Sequence, residues 1–352
     1  MEEAAGEEAL SARKAAATVA LSVVVGLGLA EGLTRVFLPV YDPSGQFEFG
    51  YEVGDLNLAP PNTVTRQTKN TGDFDVTVRI DRNGLRDDKD VARAAPDDIL
   101  VVGNSFAWGW GVEARERFSN LVQADLGVPV YNVSTATDIK GDEELLAYAR
   151  KLGARARNLI LAIGLENDLG IYDGDGGFPH FSADAPRRGW LAETTAEGGR
   201  WLQRHSAAFV LMVTAVHGTP WLEDLAVRLG LIIPNFEGFP QNVYSPEMIR
   251  SSADLVQSIA KGSRTLVLLI PSRGLWVGAN REVEDRIHGA MVAALAERGL
   301  DVLDMRPLME AGGQPLAYHF AHDGHWNRAG HRLAAKAIAA RIANWKTERA
   351  PR

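Results

Sequence analysis

Gly103-Asn104-Ser105-Phe106 follows a short apolar run, Ile99-Leu100-Val101-Val102. A serine placed where a buried strand turns toward a helix projects its hydroxyl beyond the strand's carboxyl edge, and the adjacent glycine permits the tight turn. Such a hydroxyl is a weak nucleophile until a base lies within hydrogen-bond reach and a third group orients that base. The segment His322-Asp323-Gly324-His325-Trp326-Asn327 can supply both, because Asp323 stands two residues before His325 on one loop. Gly164-Leu165-Glu166-Asn167-Asp168 follows another apolar run, and the Asn167 amide can aim an N–H at the same place as an oxyanion donor. Asp168 is expected to cap or brace that loop. Together these residues describe acyl transfer: Ser105 attacks an ester carbonyl, His325 takes its proton and Asp323 orients the ring. Each piece also has a plain structural reading, as a turn residue, a surface histidine or a common loop dipeptide. Their placement after the first, third and fifth strands of one repeating pattern is what joins them.

Two neighbouring patterns are weaker. The elbow G-x-S-x-G is not met, since Ala107 fills its last position, but a serine followed late in the chain by Asp-x-His is another order for the same triad geometry. His319, His322 and His325 recur at a spacing of three with Asp323 among them, yet Asp323-Gly324 reads as loop, so neither a metal nor a cofactor is expected. Asn132-Val133-Ser134 matches a glycosylation sequon but ends a buried run, where the match is expected to be chance.

The elements that must position these residues are legible as apolar runs of four to six residues: Ile99–Val102, Val128–Val133, Leu159–Ile163, Leu266–Ile270 and the shorter Val302-Leu303. Runs that are continuous rather than alternating suit strands covered on both faces, hence a parallel sheet. Helical stretches lie between them near 116–126, 142–153, 247–261 and 281–299, and last at 328–345, where Leu333, Ala337, Ile338 and Ile342 form one stripe. The expected fold class is α/β: a flavodoxin-like, doubly wound parallel sheet of about five strands with helices on both faces, its site beyond the strands' carboxyl ends.

The 352 residues carry 37 Lys+Arg against 45 Asp+Glu, a net charge of −8, which argues against nucleic acid as a partner. Without cysteine there is no disulfide framework, no thiolate nucleophile and no cysteine-ligated metal. Apolar residues concentrate near the N-terminus. Residues 15–30 read AAATVALSVVVGLGLA and the pattern continues through Glu31 and Arg35, four apart on one helical face, to Leu38. A run of about 24 residues is long enough to cross a bilayer with some tilt. Arg13 and Lys14 precede it and set residues 1–14 in the cytoplasm, the chain passing once, with the main domain periplasmic or otherwise extracytoplasmic. A buried core helix, or a signal peptide cleaved at Gly28-Leu29-Ala30, are the competing readings. The bilayer is thus an expected partner through residues 15–38.

Residues 39–95 read as a juxtamembrane β-rich segment, with turns at Asp42–Gly45, Ala59–Asn62 and Asn70–Gly72 and an alternating strand at Phe74–Ile80. The α/β domain is expected over 96–346, interrupted by an insertion at 165–245. That insertion holds a glycine-rich turn at Asp173–Gly177 and an apolar stretch including Phe209, Val210, Leu211, Met212, Val213, Trp221, Leu229, Leu231, Ile232 and Ile233. It reads as a cap helix buried on the sheet or, more sharply, as a lid or membrane-facing surface.

The ordered set Gly103–Phe106, Gly164–Asp168 and Asp323–His325 resembles the SGNH or GDSL hydrolase superfamily, matching three of its four blocks. The N-terminal apolar helix, Val78-Arg-Ile-Asp-Arg-Asn-Gly-Leu-Arg-Asp87 and Trp110-Gly-Val112 resemble its membrane-anchored bacterial branch. The resemblance implies Ser105 as nucleophile, His325 as base, Asp323 as its orienter, and the N–H groups of Ser105, Thr137 and Asn167 as the oxyanion site. Asn104 stands where the family has aspartate, and Thr137 where its second block has glycine. The function implied is a membrane-anchored serine esterase, or O-acyl and acetyl transfer on a glycan or lipid ester. The alternative is a catalytically idle SGNH-like domain serving as a structural or assembly subunit with membrane-protein partners.

Overall fold

The computed structural model of the chain describes residues 2–44, 46–69, 71–172, 198–199, 201–229, 244–277 and 280–346. The expected turn at Asp173–Gly177 and the apolar Leu231, Ile232 and Ile233 lie outside the described residues. Contacts divide the chain into two compact units, one of Met1–Gly45, Asn70–Gly72 and Arg187–Pro234, the other of Gln46–Lys69, Asp73–Pro186 and Asn235–Arg352.

The larger unit is the α/β domain. Its sheet comprises β5 (Ile99–Gly103), β6 (Val130–Asn132), β7 (Asn158–Gly164), β8 (Arg264–Ile270) and β9 (Asp301–Asp304), all parallel, in the order β6-β5-β7-β8-β9. Helices cover both faces, which is why the central strands read as unbroken apolar runs. Leu100, Val102, Leu159, Leu161, Ile163, Val267 and Leu269 point to one face, beneath α4 (Ile139–Leu152), α7 (Pro246–Ala260) and α8 (Arg281–Glu297). Their neighbours Ile99, Val101, Ile160, Ala162, Leu266 and Leu268 point to the other, beneath α3 (Phe118–Leu126), the short α9 (Arg306–Glu310) and α10 (Arg328–Arg341). The alternation is the pleat itself, and both sides of it are buried. The stripe on α10 is buried at Ile338 and at Ile342 just beyond it, while Leu333 and Ala337 pack at its margin beside the more central Ala334 and Ala335.

Two antiparallel ribbons precede the sheet: β1 (Tyr51–Val53) with β2 (Leu56–Leu58), and β3 (Val64–Thr68) with β4 (Asp75–Arg79). The segment boundary expected near residue 95 is not where the contacts divide. Phe47, Val78 and Ile80 share a core with Trp108, and the buried Arg86 guanidinium donates to the carbonyls of Gly109 (2.6 Å) and Val112 (2.7 Å). Burying that apolar and cationic contact makes the β ribbons part of the α/β unit.

The smaller unit contains α1 (Glu2–Phe37), α5 (Ala207–His217) and α6 (Pro220–Arg228). Within α1, Arg13–Phe37 is long and apolar enough to cross a membrane, a property shared by spans and signal sequences. Among the described residues no other helix has that length and character. The apolar part of the expected insertion therefore falls with α1, held there by Glu31, whose carboxylate accepts from Ser206 Oγ (2.7 Å) and from the Ala207 (3.0 Å) and Ala208 (3.1 Å) amides.

Candidate active site

Chain order in the sheet reverses at β5, whose neighbours are β6 and β7, and crevices open at such switch points. Gly103 ends β5 and cannot be replaced cheaply: a Cβ there would lie 2.7 Å from the Ala162 carbonyl oxygen and 2.8 Å from the Ala162 Cβ on the adjoining strand. Asn104 then caps the short helix α2 (Ser105–Trp108), its Oδ1 accepting from the Phe106 N–H at 3.0 Å. The strand end and the cap together fix the direction of the Ser105 side chain. Helix α2 closes at Gly109, whose φ of 88° is left-handed and suits glycine.

Across from Ser105, the loop before α10 brings in the other two groups. His325 Nε2 lies 2.7 Å from Ser105 Oγ, and His325 Nδ1 lies 2.5 Å from Asp323 Oδ1. The carboxylate accepts, so Nδ1 carries the proton and Nε2 offers its lone pair to the hydroxyl. The His325 backbone N–H also donates to Asp323 Oδ1 (3.0 Å), which sets the two residues' spacing locally. Phe320 N–H donates to the His325 carbonyl (3.1 Å), while Asn327 caps α10 and anchors the loop's far end. Phe106 packs against the His325 ring at 5.0 Å between centroids, and Trp110 stacks on it at 5.5 Å and 28°. Arg86 holds the Gly109–Val112 backbone that carries Trp110, so the Val78–Asp87 block acts on the ring from a distance.

Lys69, just beyond β3, donates from Nζ to the second Asp323 oxygen at 3.1 Å. Burial alone would raise the Asp323 carboxyl, but the hydrogen bond and charge of His325, then Lys69, outweigh it and hold Asp323 well below the usual carboxylate range. On the other side, Arg273 packs on Gly324, where a Cβ would come within 2.9 Å of its guanidinium, and pairs with Glu166 at 3.5 Å. Neither Lys69 nor Arg273 carries a signal in the sequence: one lies more than 250 residues from the loop it contacts, the other about fifty, and each is an ordinary surface cation by pattern.

Asn104 does more than cap. Its Nδ2 donates to Asp168 Oδ2 at 2.7 Å, and the Gly164 N–H donates to the same oxygen at 2.6 Å. Asp168 is buried, and that burial pushes its carboxyl up to about 8 despite both donors. The bracing role read for Asp168 is thus a bond to the residue beside the nucleophile. An aspartate at 104 would face this second acid, so asparagine is the side chain that fits.

The remaining sequence candidates are placed less closely. Thr137 is half-buried on the β6–α4 connection, with its hydroxyl over the first turn of α4, where a Cβ on Gly141 would collide with it at 1.6 Å. Asn167 is exposed on the turn after β7, its backbone N–H donating to the Gly164 carbonyl at 3.3 Å. Neither residue hydrogen-bonds the Ser105–His325–Asp323 chain. The three histidines separate: His322 is exposed and meets Asp73 at 3.3 Å, whereas His319 is buried, and burial first, with the Arg273 charge, lowers it to about 3. Among the described residues, no group of three His, Asp or Glu side chains is placed to hold a metal ion.

A parallel flavodoxin-like sheet with a serine–histidine–aspartate hydrogen-bond chain at its switch point defines a class, the serine hydrolase-like α/β proteins. Comparison gives the nearer likeness. Residues 245–352, which carry Asp323 and His325, match the family model described as SGNH hydrolase-like domain, acetyltransferase AlgX. The family match and the sequence blocks agree on an SGNH or GDSL hydrolase-like domain. Similar solved structures include a lipase/acylhydrolase from Enterococcus faecalis (12% identity, 70% of this chain and 95% of that one, TM-score 0.40). Others are a lipolytic G-D-S-L family member from Veillonella parvula (13%, 70% and 97%, TM-score 0.36) and the C-terminal catalytic domain of Streptococcus pneumoniae peptidoglycan O-acetyltransferase A (14%, 73% and 97%, TM-score 0.36). No functionally curated protein matches the chain.

Proposed function

We propose that the protein is a membrane-anchored, extracytoplasmic serine acyl-transferring enzyme that acts on an O-acyl, and in particular an O-acetyl, ester. The observation that carries this reading is the continuous chain Asp323–His325–Ser105, with contacts of 2.5 and 2.7 Å. In the first half-reaction the Ser105 proton passes to His325 Nε2 as Oγ bonds to the ester carbonyl carbon. The resulting oxyanion is received by N–H groups at the strand ends, with Ser105, Thr137 and Asn167 as the assigned donors. The carbon–oxygen bond to the alcohol then breaks, the alcohol leaves with the proton from His325, and Ser105 holds the acyl group. Water or a glycan hydroxyl attacks in turn, giving its proton to His325, and the acyl group is released to it.

Acetyl is favoured as the acyl group because the family model that matches residues 245–352 is described by an acetyltransferase. The segment Arg13–Phe37 serves as the anchor, with Arg13 and Lys14 on the cytoplasmic side and the catalytic domain outside. A fluorophosphonate probe tests the reading. Wild type is expected to label and Ser105→Ala to lose the label while keeping its melting temperature. A folded wild-type protein that neither labels nor turns over an ester would overturn catalysis and leave the structural-subunit role.

A further inference from the structure

Two ionisable residues interrupt the apolar helix α1 near its end, and both turn to one segment. Glu31 receives the Ser206 hydroxyl and the first two N–H groups of α5. Arg35 donates to Glu31 (2.7 Å), to Asp42 (2.5 Å) and to the His205 carbonyl (2.8 Å). The first N–H groups of a helix have no partner inside it, so a carboxylate there satisfies donors and favours the positive end of the helix. The polar residues of α1 thus fasten the start of α5 to the last turns of the apolar helix.

The fastened segment is unusual in what it shows to solvent. Helix α5 reads AAFVLMVTAVH, with no charged residue before His217, and at 11 residues it is about 16 Å long, too short to span. Helix α6 carries Trp221 and Leu225, and Leu229 follows directly after its last residue; spaced i, i+4, i+8, the three form an apolar stripe that points outward, 67%, 47% and 63% exposed. Met212 on α5 and Trp201 before it are also exposed. An ordinary surface helix turns such a stripe inward and its charges outward. Here the charged Asp224 and Arg228 share the surface with the stripe.

We propose that α5 and α6 form an interfacial membrane-binding hairpin, lying in the headgroup–acyl boundary of the bilayer crossed by α1. The inference rests on the anchor reading given above. Lipid is the occupant that the observations select, because the apolar face belongs to the same compact unit as the span and is tied to it through Glu31 and Arg35. In the proposed orientation those two residues sit at the outer end of the span. Exposed tryptophans are enriched at that depth, and short amphipathic helices lie there in the plane of the interface. Trp201 and Trp221 fit the first description and α6 the second.

The absence of cysteine makes the test clean. Single-cysteine variants of the full chain, Val24→Cys, Met212→Cys, Asp224→Cys, Leu225→Cys and Glu297→Cys, are labelled with an environment-sensitive fluorophore and reconstituted in phosphatidylcholine–phosphatidylglycerol vesicles. Quenching is read from lipids bearing a nitroxide near the headgroup, from lipids bearing it near the chain end, and from aqueous iodide. The expected result is loss of about half the emission at 212 and 225 with the shallow nitroxide lipid, and little with iodide. Position 24 is quenched by the deep lipid, and positions 224 and 297 by iodide. Lipid quenching at 24 with iodide quenching at 225 overturns the hairpin while leaving the anchor. Protection of 225 from both quenchers means that protein covers the stripe, and also overturns it. Loss of lipid quenching at 24 itself refutes the anchor and the hairpin together.

Discussion

Replacing Asn104 by aspartate restores the residue of the related motif and is expected to harm this protein. The side chain is 5% exposed, its Oδ1 accepts from Phe106, and its Nδ2 donates to Asp168 Oδ2 at 2.7 Å. Asn104→Asp keeps the size and the cap but sets a second acid against Asp168, whose own carboxyl is already pushed up to about 8 by burial. The lost hydrogen bond to a charged or half-charged partner is worth roughly 1.5–3 kcal/mol, and ionising both groups at that distance adds repulsion. A net loss of about 2–4 kcal/mol near pH 8 follows, or a fall of roughly 5–15 °C in melting temperature for a domain of this size. The sign of the pH dependence is fixed. The new carboxyl is raised in the folded protein above its unfolded value, so the unfolded chain loses the proton first and stability drops as pH rises from about 4 toward 8. At pH 5 one protonated carboxyl can donate to the other and most of the penalty vanishes. Melting of wild type and variant at pH 5 and pH 8, followed by intrinsic fluorescence, reads the difference directly. Equal stability of the two proteins at pH 8, or a penalty larger at pH 5, would refute the reasoning.

Lys69→Met removes the cation that donates to Asp323 Oδ2 and helps hold that carboxyl low, and so loosens the group that orients His325. The lost ion pair, 3.1 Å long and partly exposed on the lysine side, is worth roughly 0.5–1 kcal/mol, so the labelling rate should fall about two- to fivefold; an unchanged rate counts against Lys69 as a positioning residue. His331 is fully buried, and that burial, with the charges of Arg117 and Arg86, lowers it to about 3. The unfolded histidine, near 6.5, binds a proton that the folded one refuses, so stability is present above 6.5 and declines as pH falls toward 3. The melting temperature should therefore drop between pH 6.5 and 4.5, and His331→Phe should flatten part of that slope. Gly103→Ala forces a Cβ against the Ala162 backbone and is expected to cost about 2–3 kcal/mol and to abolish probe labelling; a variant that melts and labels like wild type would show that the strand end can yield.

The local chemistry of this protein was written in its sequence. Five apolar runs became five parallel strands because both sheet faces are covered, so the central strands are apolar through most of their length, whereas β9 at the edge is apolar only at Val302 and Leu303. Asp323 and His325 are two residues apart, and their pairing needs little more than one loop conformation. The apolar stretch at the N-terminus is long and apolar enough to cross a membrane, a property legible from length and composition and shared by spans and signal sequences. Other features depend on distance in space and have no local mark. Lys69 on Asp323, Arg273 on Gly324 and the Asn104–Asp168 bond each join residues that lie about fifty or more positions apart in the chain. Residues 207–217 are apolar all round, a composition equally suited to a buried cap and to an interfacial helix. Only the tertiary structure decided which part of the chain they join, because one glutamate on α1 satisfies the orphan amides at their start and draws the segment into the unit of the apolar helix.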